Sequence, residues 1–97
     1  MTLKCEWADR KAVLNLKNHR VSFEEACTVF ADTLSGTIPD PLHPASEARF
    51  ITIGLSEQMR LLVVVHAEVG ERMRIISARC ATSHERKRYQ EGYVKAR

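Results

Sequence analysis

A chain of 97 residues fits a single domain spanning 1–97, since independent domains run to about 100–150 residues. So short a chain buries only roughly 60–65% of the surface its unfolded form exposes. Hydrophobic residues at 44% and charged residues at 28% suit a folded core with a wet exterior. No apolar run approaches the length of about 18 residues that a membrane span needs, and the opening MTLKCEWADR has no signal-peptide core. The expectation is a cytoplasmic protein.

Charge is unevenly spread. The net charge is +3, but residues 72–97 carry eight Lys and Arg against two Glu, a local +6 that leaves −3 elsewhere. A concentrated positive patch attracts phosphates, although an exposed helix has the same composition. The three cysteines, Cys5, Cys27 and Cys80, show no C-x-x-C spacing. That excludes a structural zinc framework and favours reduced thiols, with Cys27 as a core residue.

In chain order, Asp9 is placed to cap a first helix, RKAVLNLKNH, whose apolar stripe is Ala12, Val13 and Leu16. Trp7 is expected to fold back on that stripe. Ser22-Phe23-Glu24-Glu25 is a capping box, in which the Ser oxygen takes the Glu25 N–H and the Glu25 side chain reaches back. Phe23, Ala26, Cys27 and Phe30 follow at helical spacing as one buried face.

Residues 34–38 suit a short edge strand. Pro39, Pro41 and Pro44 in PDPLHPASE then rule out regular structure. In ARFITIGLS, Arg49, Ile51, Ile53 and Leu55 alternate with Phe50, Thr52 and Gly54. After a turn at 57–59, RLLVVVHAE reads as a central strand buried on both faces, and Gly70 turns it into RMRIISAR. Thr82-Ser83-His84-Glu85 is a second capping box, opening a last helix near residue 83. Tyr89, Gly92, Tyr93 and Ala96 share one face of it. The order predicts an α+β fold: two N-terminal helices, an antiparallel sheet of about four strands, and a C-terminal helix.

Several of these segments together resemble one family, the BrnT toxins of BrnT–BrnA type II toxin–antitoxin systems. They are EWADRKAVLNLKNHRVSFEEACTVF, DPLHPASEARFITIG, RLLVVVHAE and RMRIISARCATSHERKRY. The similarity runs in register from about residue 6 to residue 91. Where the family has a glycine between the first two helices this chain has Arg20, where it has a lysine this chain has Asn18, and Cys80 fills a variable position. The resemblance implies an endoribonuclease of the RelE-like kind, needing neither metal nor other cofactor. It also implies neutralisation by a BrnA-like DNA-binding antitoxin in a hetero-oligomer.

Metal-free cleavage of RNA uses the substrate's own 2′-hydroxyl, so the protein must move protons and stabilise charge on the phosphorus. Arginine forks suit the phosphate, and histidine or glutamate suits the proton. Arg79 is the first candidate, because it ends a strand two residues before a helix N-terminus, where anions are favoured. Arg60, which opens the central strand, His66 within it, and Glu85 complete the catalytic candidates. His66 and Glu85 also have structural readings, as a buried core histidine and as a capping residue. Arg49, Lys11, Lys17, Arg74, Arg86, Arg88 and Tyr89 are candidates for holding RNA, with Tyr89 stacking on a base or packing in the core. His19, at the end of the first helix, reads as a dipole partner.

Two other readings compete. A catalytically inactive RNA- or protein-binding module with the same fold is one, for which Arg20 leaves room. A double-stranded DNA binder is the other, disfavoured because Glu24, Glu25 and Asp32 sit where a recognition helix would need bases.

Overall fold

In the computed structural model the described residues are 4–41 and 48–95, with backbone alone for 92–95. His43, Pro44, and the expected helix face beyond Tyr89 (Gly92, Tyr93 and Ala96) lie outside the described side chains. The elements are β1 (Lys4–Glu6), α1 (Asp9–His19), α2 (Phe23–Thr28) with a following 3₁₀ turn (Val29–Ala31), β2 (Gly36–Pro39), β3 (Arg49–Leu55), β4 (Leu61–Val69), β5 (Arg72–Cys80) and α3 (Ser83–Lys95).

The fold is α+β, as expected, but the sheet has five strands and is mixed. Its order is β1-β5-β4-β3-β2, antiparallel from β2 through β5. The added strand is β1, which pairs parallel with β5 through Lys4–Arg72, Cys5–Met73 and Glu6–Arg74. Three residues carry no detectable alternation, so only the long-range partner makes them a strand. β4 is the central strand, as its apolar run predicts, with Leu61, Leu62, Val63 and Val64 all buried. Gly70 turns β4 into β5 at φ 62°, a left-handed conformation that costs glycine nothing.

One face of the sheet carries the helical layer. Leu62 and Val64 of β4 and Ile75 and Ala78 of β5 meet Val21, Phe23, Ala26 and Val29 in a single cluster. A bulge between Val65 and His66 keeps Ile75 and Ala78 on the same face despite their odd spacing. Gly54 lets β3 lie close to the 3₁₀ turn, since a Cβ there would meet Ser35 Cβ at 3.0 Å and Val29 O at 3.2 Å.

Helix α1 departs most from expectation. Ala8, not Asp9, is its N-cap residue, with no side-chain bond. Val13, Leu14 and Leu16 are 67, 52 and 50% exposed, while the buried residue is Asn15 at 7%. Asn15 Nδ2 donates to Val21 O and Ala78 O, and its Oδ1 accepts from Ala78 N–H. Because β1 reaches only Arg74 along β5, the amide of Asn15 takes over the peptide groups that a longer β1 would have met. Trp7 accordingly packs edge-on against Phe23, with centroids 5.9 Å apart, rather than on an α1 stripe. Arg20 ends α1 at φ 60°, ψ 30°. The guanidine residue thus adopts the left-handed conformation that favours glycine, at a cost on the order of 1 kcal/mol.

The thiol expectation is also corrected. Cys5 and Cys27 form a disulfide that ties β1 to α2, and Cys80 is the free, exposed cysteine.

Candidate functional site

The start of β4 and the end of β5 lie side by side, Leu62 opposite Cys80 and Val63 opposite Arg79. Arg60 and Arg79 therefore reach the same end of the sheet from neighbouring strands. Each is held by a carboxylate, and the two pairs are built differently.

Arg79 forms a two-pronged pair with Glu85, Nη1 to Oε1 at 2.8 Å and Nη2 to Oε2 at 2.9 Å. Glu85 is fixed by the capping box: Thr82 N–H donates to its Oε1, and its own N–H donates to Thr82 Oγ1. The hydrogen bond from Arg79, with help from Thr82, holds the Glu85 carboxyl down at about 2 despite partial burial, and Glu85 raises Arg79 in turn. The Arg79 side chain is 42% exposed and stands beside the N-terminus of α3. Glu85 is thus ionised at neutral pH, and its two oxygens fix the orientation of the Arg79 fork.

Arg60 is tied into the helical layer. Its Nε donates to Glu25 Oε2 at 2.9 Å, and its Nη2 contacts Glu25 Oε1 and donates to Arg20 O at 3.1 Å. Ser56 Oγ donates to the same Glu25 carboxylate at 2.6 Å. Glu25 is only 3% exposed. The Arg60 hydrogen bond, followed by that of Ser56, lowers its carboxyl against the opposing effect of burial. Here the second capping role predicted for Glu25 gives way: Ser22 Oγ does accept the Glu25 N–H at 3.0 Å, but the glutamate side chain serves Arg60. Arg60 Nη1 also comes within 4.0 Å of Cys80 Sγ.

His66 is not brought to this end. It lies six residues along β4 from Arg60, roughly 20 Å at strand rise, and is 2% exposed. Its Nε2 is 2.7 Å from Thr52 Oγ1, its Nδ1 is 2.8 Å from Met73 Sδ, and its ring sits between Phe30 and Phe50. Burial lowers its pKa to about 4. At 2% exposure the imidazole has the surroundings of a core residue, the structural reading of His66.

Tyr89 is also a structural group. Its hydroxyl donates to Asp32 Oδ2 at 2.6 Å, and the same oxygen accepts the Leu55 N–H of β3. Burial and then Asp32 push the phenol up to about 12. Helix α3 therefore starts at β5 and is anchored beyond β3, next to a depression of about 390 Å³ lined by Thr28, Ala31, Asp32, Leu55, Ser56 and Glu57. The Tyr89 hydroxyl is thus committed to Asp32, and the side chain is half-buried.

Arg74 pairs with Glu6 at 3.2 Å, beside Arg72 at 3.4 Å from the same carboxylate. Arg49, opposite Ala67 and half-buried, shares its sheet face with Arg74. Lys11 and Lys17 are exposed on α1, and Arg86 and Arg88 are exposed on α3. The residues that sequence reasoning missed are Asn15, Glu25, Ser56 and Asp32, all polar groups that position others. Only Glu25, the acid of the Ser22–Glu25 capping box, carried a local signal, and that signal pointed to Ser22 rather than to Arg60.

Comparisons with known proteins bear on the family and the fold. The family model for the ribonuclease toxin BrnT of type II toxin–antitoxin systems matches residues 7–85. The crystal structure of the Brucella abortus ribonuclease toxin BrnT is similar in fold, with a TM-score of 0.66 at 22% identity, over 84% of this chain and 100% of that one. No curated protein matches. Matched over most of its length, the chain belongs to the BrnT family of ribonuclease toxins from type II toxin–antitoxin systems.

Proposed function

We propose that this chain is a metal-independent endoribonuclease of the RelE-like kind, acting in the cytoplasm and held inactive by a BrnA-like antitoxin. The reaction is attack of the RNA 2′-oxygen on the adjacent phosphorus with loss of the 2′-hydroxyl proton. The bond from phosphorus to the 5′-oxygen breaks, that oxygen takes up a proton, and the products are a 2′,3′-cyclic phosphate and a 5′-hydroxyl.

The observation that carries this reading is the Arg79–Glu85 pair at the α3 N-terminus. A guanidinium fork pre-oriented by a carboxylate, beside a helix N-terminus, suits the charge that develops on a phosphorane. Arg79 supplies that stabilisation, and Glu85 aims it. Arg60, locked by Glu25 and Arg20 O, adds fixed positive charge at the same strand end. Arg49, Arg74, Lys11, Lys17, Arg86 and Arg88 contribute a general field that holds the RNA backbone.

Incubating the purified protein with single-stranded RNA and a matched DNA oligonucleotide, both in excess EDTA, tests this. RNA fragments ending in 2′,3′-cyclic phosphate with intact DNA are expected. Absence of cleavage at high protein concentration, with RNA binding retained, would leave an inactive binding module instead.

A further inference from the structure

The outer side of α1 is built the wrong way round for a helix that only packs on its own sheet. Asn15 and the half-buried Ala12 face the sheet, and Asn15 docks by hydrogen bonds. At about 100° per residue, Val13 and Leu14 lie on the opposite side together with Arg10 and Lys17. Leu16 and Lys11 flank them. All six are exposed.

We infer that this outer face of α1 is the docking surface for the antitoxin, and that its occupant is an amphipathic helical segment with an apolar stripe edged by Asp or Glu. The inference rests on the toxin–antitoxin reading above. A helix side offers no free backbone donors or acceptors, so a strand cannot pair with it, whereas side-chain ridges of a second helix fit its grooves. Arg10, Lys11 and Lys17 around the aliphatic centre call for acidic edges on the partner. RNA does not fit the aliphatic centre, because bases stack on aromatic or guanidinium planes; the field of Lys11 and Lys17 acts on an RNA backbone without contact to Val13, Leu14 or Leu16. A second copy fits poorly too, since a two-fold contact would set these cations against their own counterparts.

The test uses the full chain, the Val13→Asp/Leu14→Asp double variant, and a BrnA-like antitoxin that neutralises the parent. Binding is measured by titration calorimetry, and RNA cleavage is measured with and without antitoxin. The variant should cleave RNA as the parent does while binding antitoxin at least about thirtyfold more weakly, as befits central apolar contacts. A Val13→Ser/Leu14→Ser variant serves the same comparison should the charged pair lower the melting temperature. Arg10→Glu should weaken binding more at low salt than at high salt. Unchanged antitoxin affinity in all variants overturns the inference, as does a parent chain that does not bind the antitoxin. It is also overturned by parallel loss of RNA cleavage in a folded variant, which would assign the face to RNA, or by loss of self-association alone, which would assign it to a second copy. Failure of the parent to cleave RNA while these binding results hold would instead count against the ribonuclease reading.

Discussion

The side-chain amide of Asn15 grips both peptide groups of Ala78, Nδ2 donating to its carbonyl at 2.8 Å and Oδ1 accepting its N–H at 3.1 Å. This single residue fastens α1 to β5 where β1 has already ended. Because α1 turns its large apolar residues outward, little else on its inner side can hold it.

Replacing Asn15 with Ala should therefore cost about 3 kcal/mol, since buried backbone groups of Ala78 and Val21 lose their partners. Urea denaturation of the purified chain checks this. A loss under 1 kcal/mol would mean that water replaces the amide without penalty.

Arg79→Lys keeps the charge but loses the fork that Glu85 aligns. RNA cleavage should fall by about a hundredfold or more, the usual effect of removing one transition-state donor, while RNA affinity changes little. Glu85→Gln should give a smaller loss in the same direction, because it loosens Arg79 without removing it. Equal losses in binding and cleavage for Arg79→Lys would place Arg79 in ground-state binding.

His66 carries a pH signature. Its folded pKa of about 4 lies below the ordinary value of 6.5, so the unfolded chain takes up a proton first as pH falls. Stability should decline from about pH 6.5 toward 4, approaching a tenfold change in the folded-to-unfolded ratio per pH unit in that window. The part of this slope due to His66 should vanish in His66→Gln, as read from urea midpoints across the range. The depressed carboxyls of Glu25 and Glu85 act in the same direction at lower pH, their stabilisation fading as pH falls below about 4.5. A slope that persists unchanged in the variant would mean that His66 does not titrate on unfolding.

The Cys5–Cys27 bridge spans 22 residues, for which loop-closure entropy gives about 3 kcal/mol. Reduction by dithiothreitol, or Cys5→Ser/Cys27→Ser, should lower the urea midpoint accordingly. Cys80→Ser should not. Mass spectrometry of alkylated protein, with and without reductant, checks that Cys80 alone is modified in the oxidised form.

Much of the molecule was legible from local chemistry. The capping serine at 22 and the box at Thr82–Glu85 form within three residues. β3, β4 and β5 follow from period-two alternation and a continuous apolar run, and Gly70 marks the turn between them. Arg79 was legible as well, because a strand end and a helix start adjoin it in sequence. Glu25 was only half legible, since its N–H bonds Ser22 while its side chain waits for Arg60, 35 residues away.

The sequence by itself determined the α+β element order, the central strand and the placement of Arg79 beside the α3 N-terminus. Hydrophobic period and capping act over a few residues and need no distant partner. Tertiary structure alone decided that β1 exists, that Asn15 rather than Val13 faces the sheet, and that His66 is sealed in the core. A three-residue strand or a buried amide is stable only when its hydrogen-bonding partner arrives from elsewhere in the chain. For β1 and Asn15 that partner is β5, more than sixty residues away.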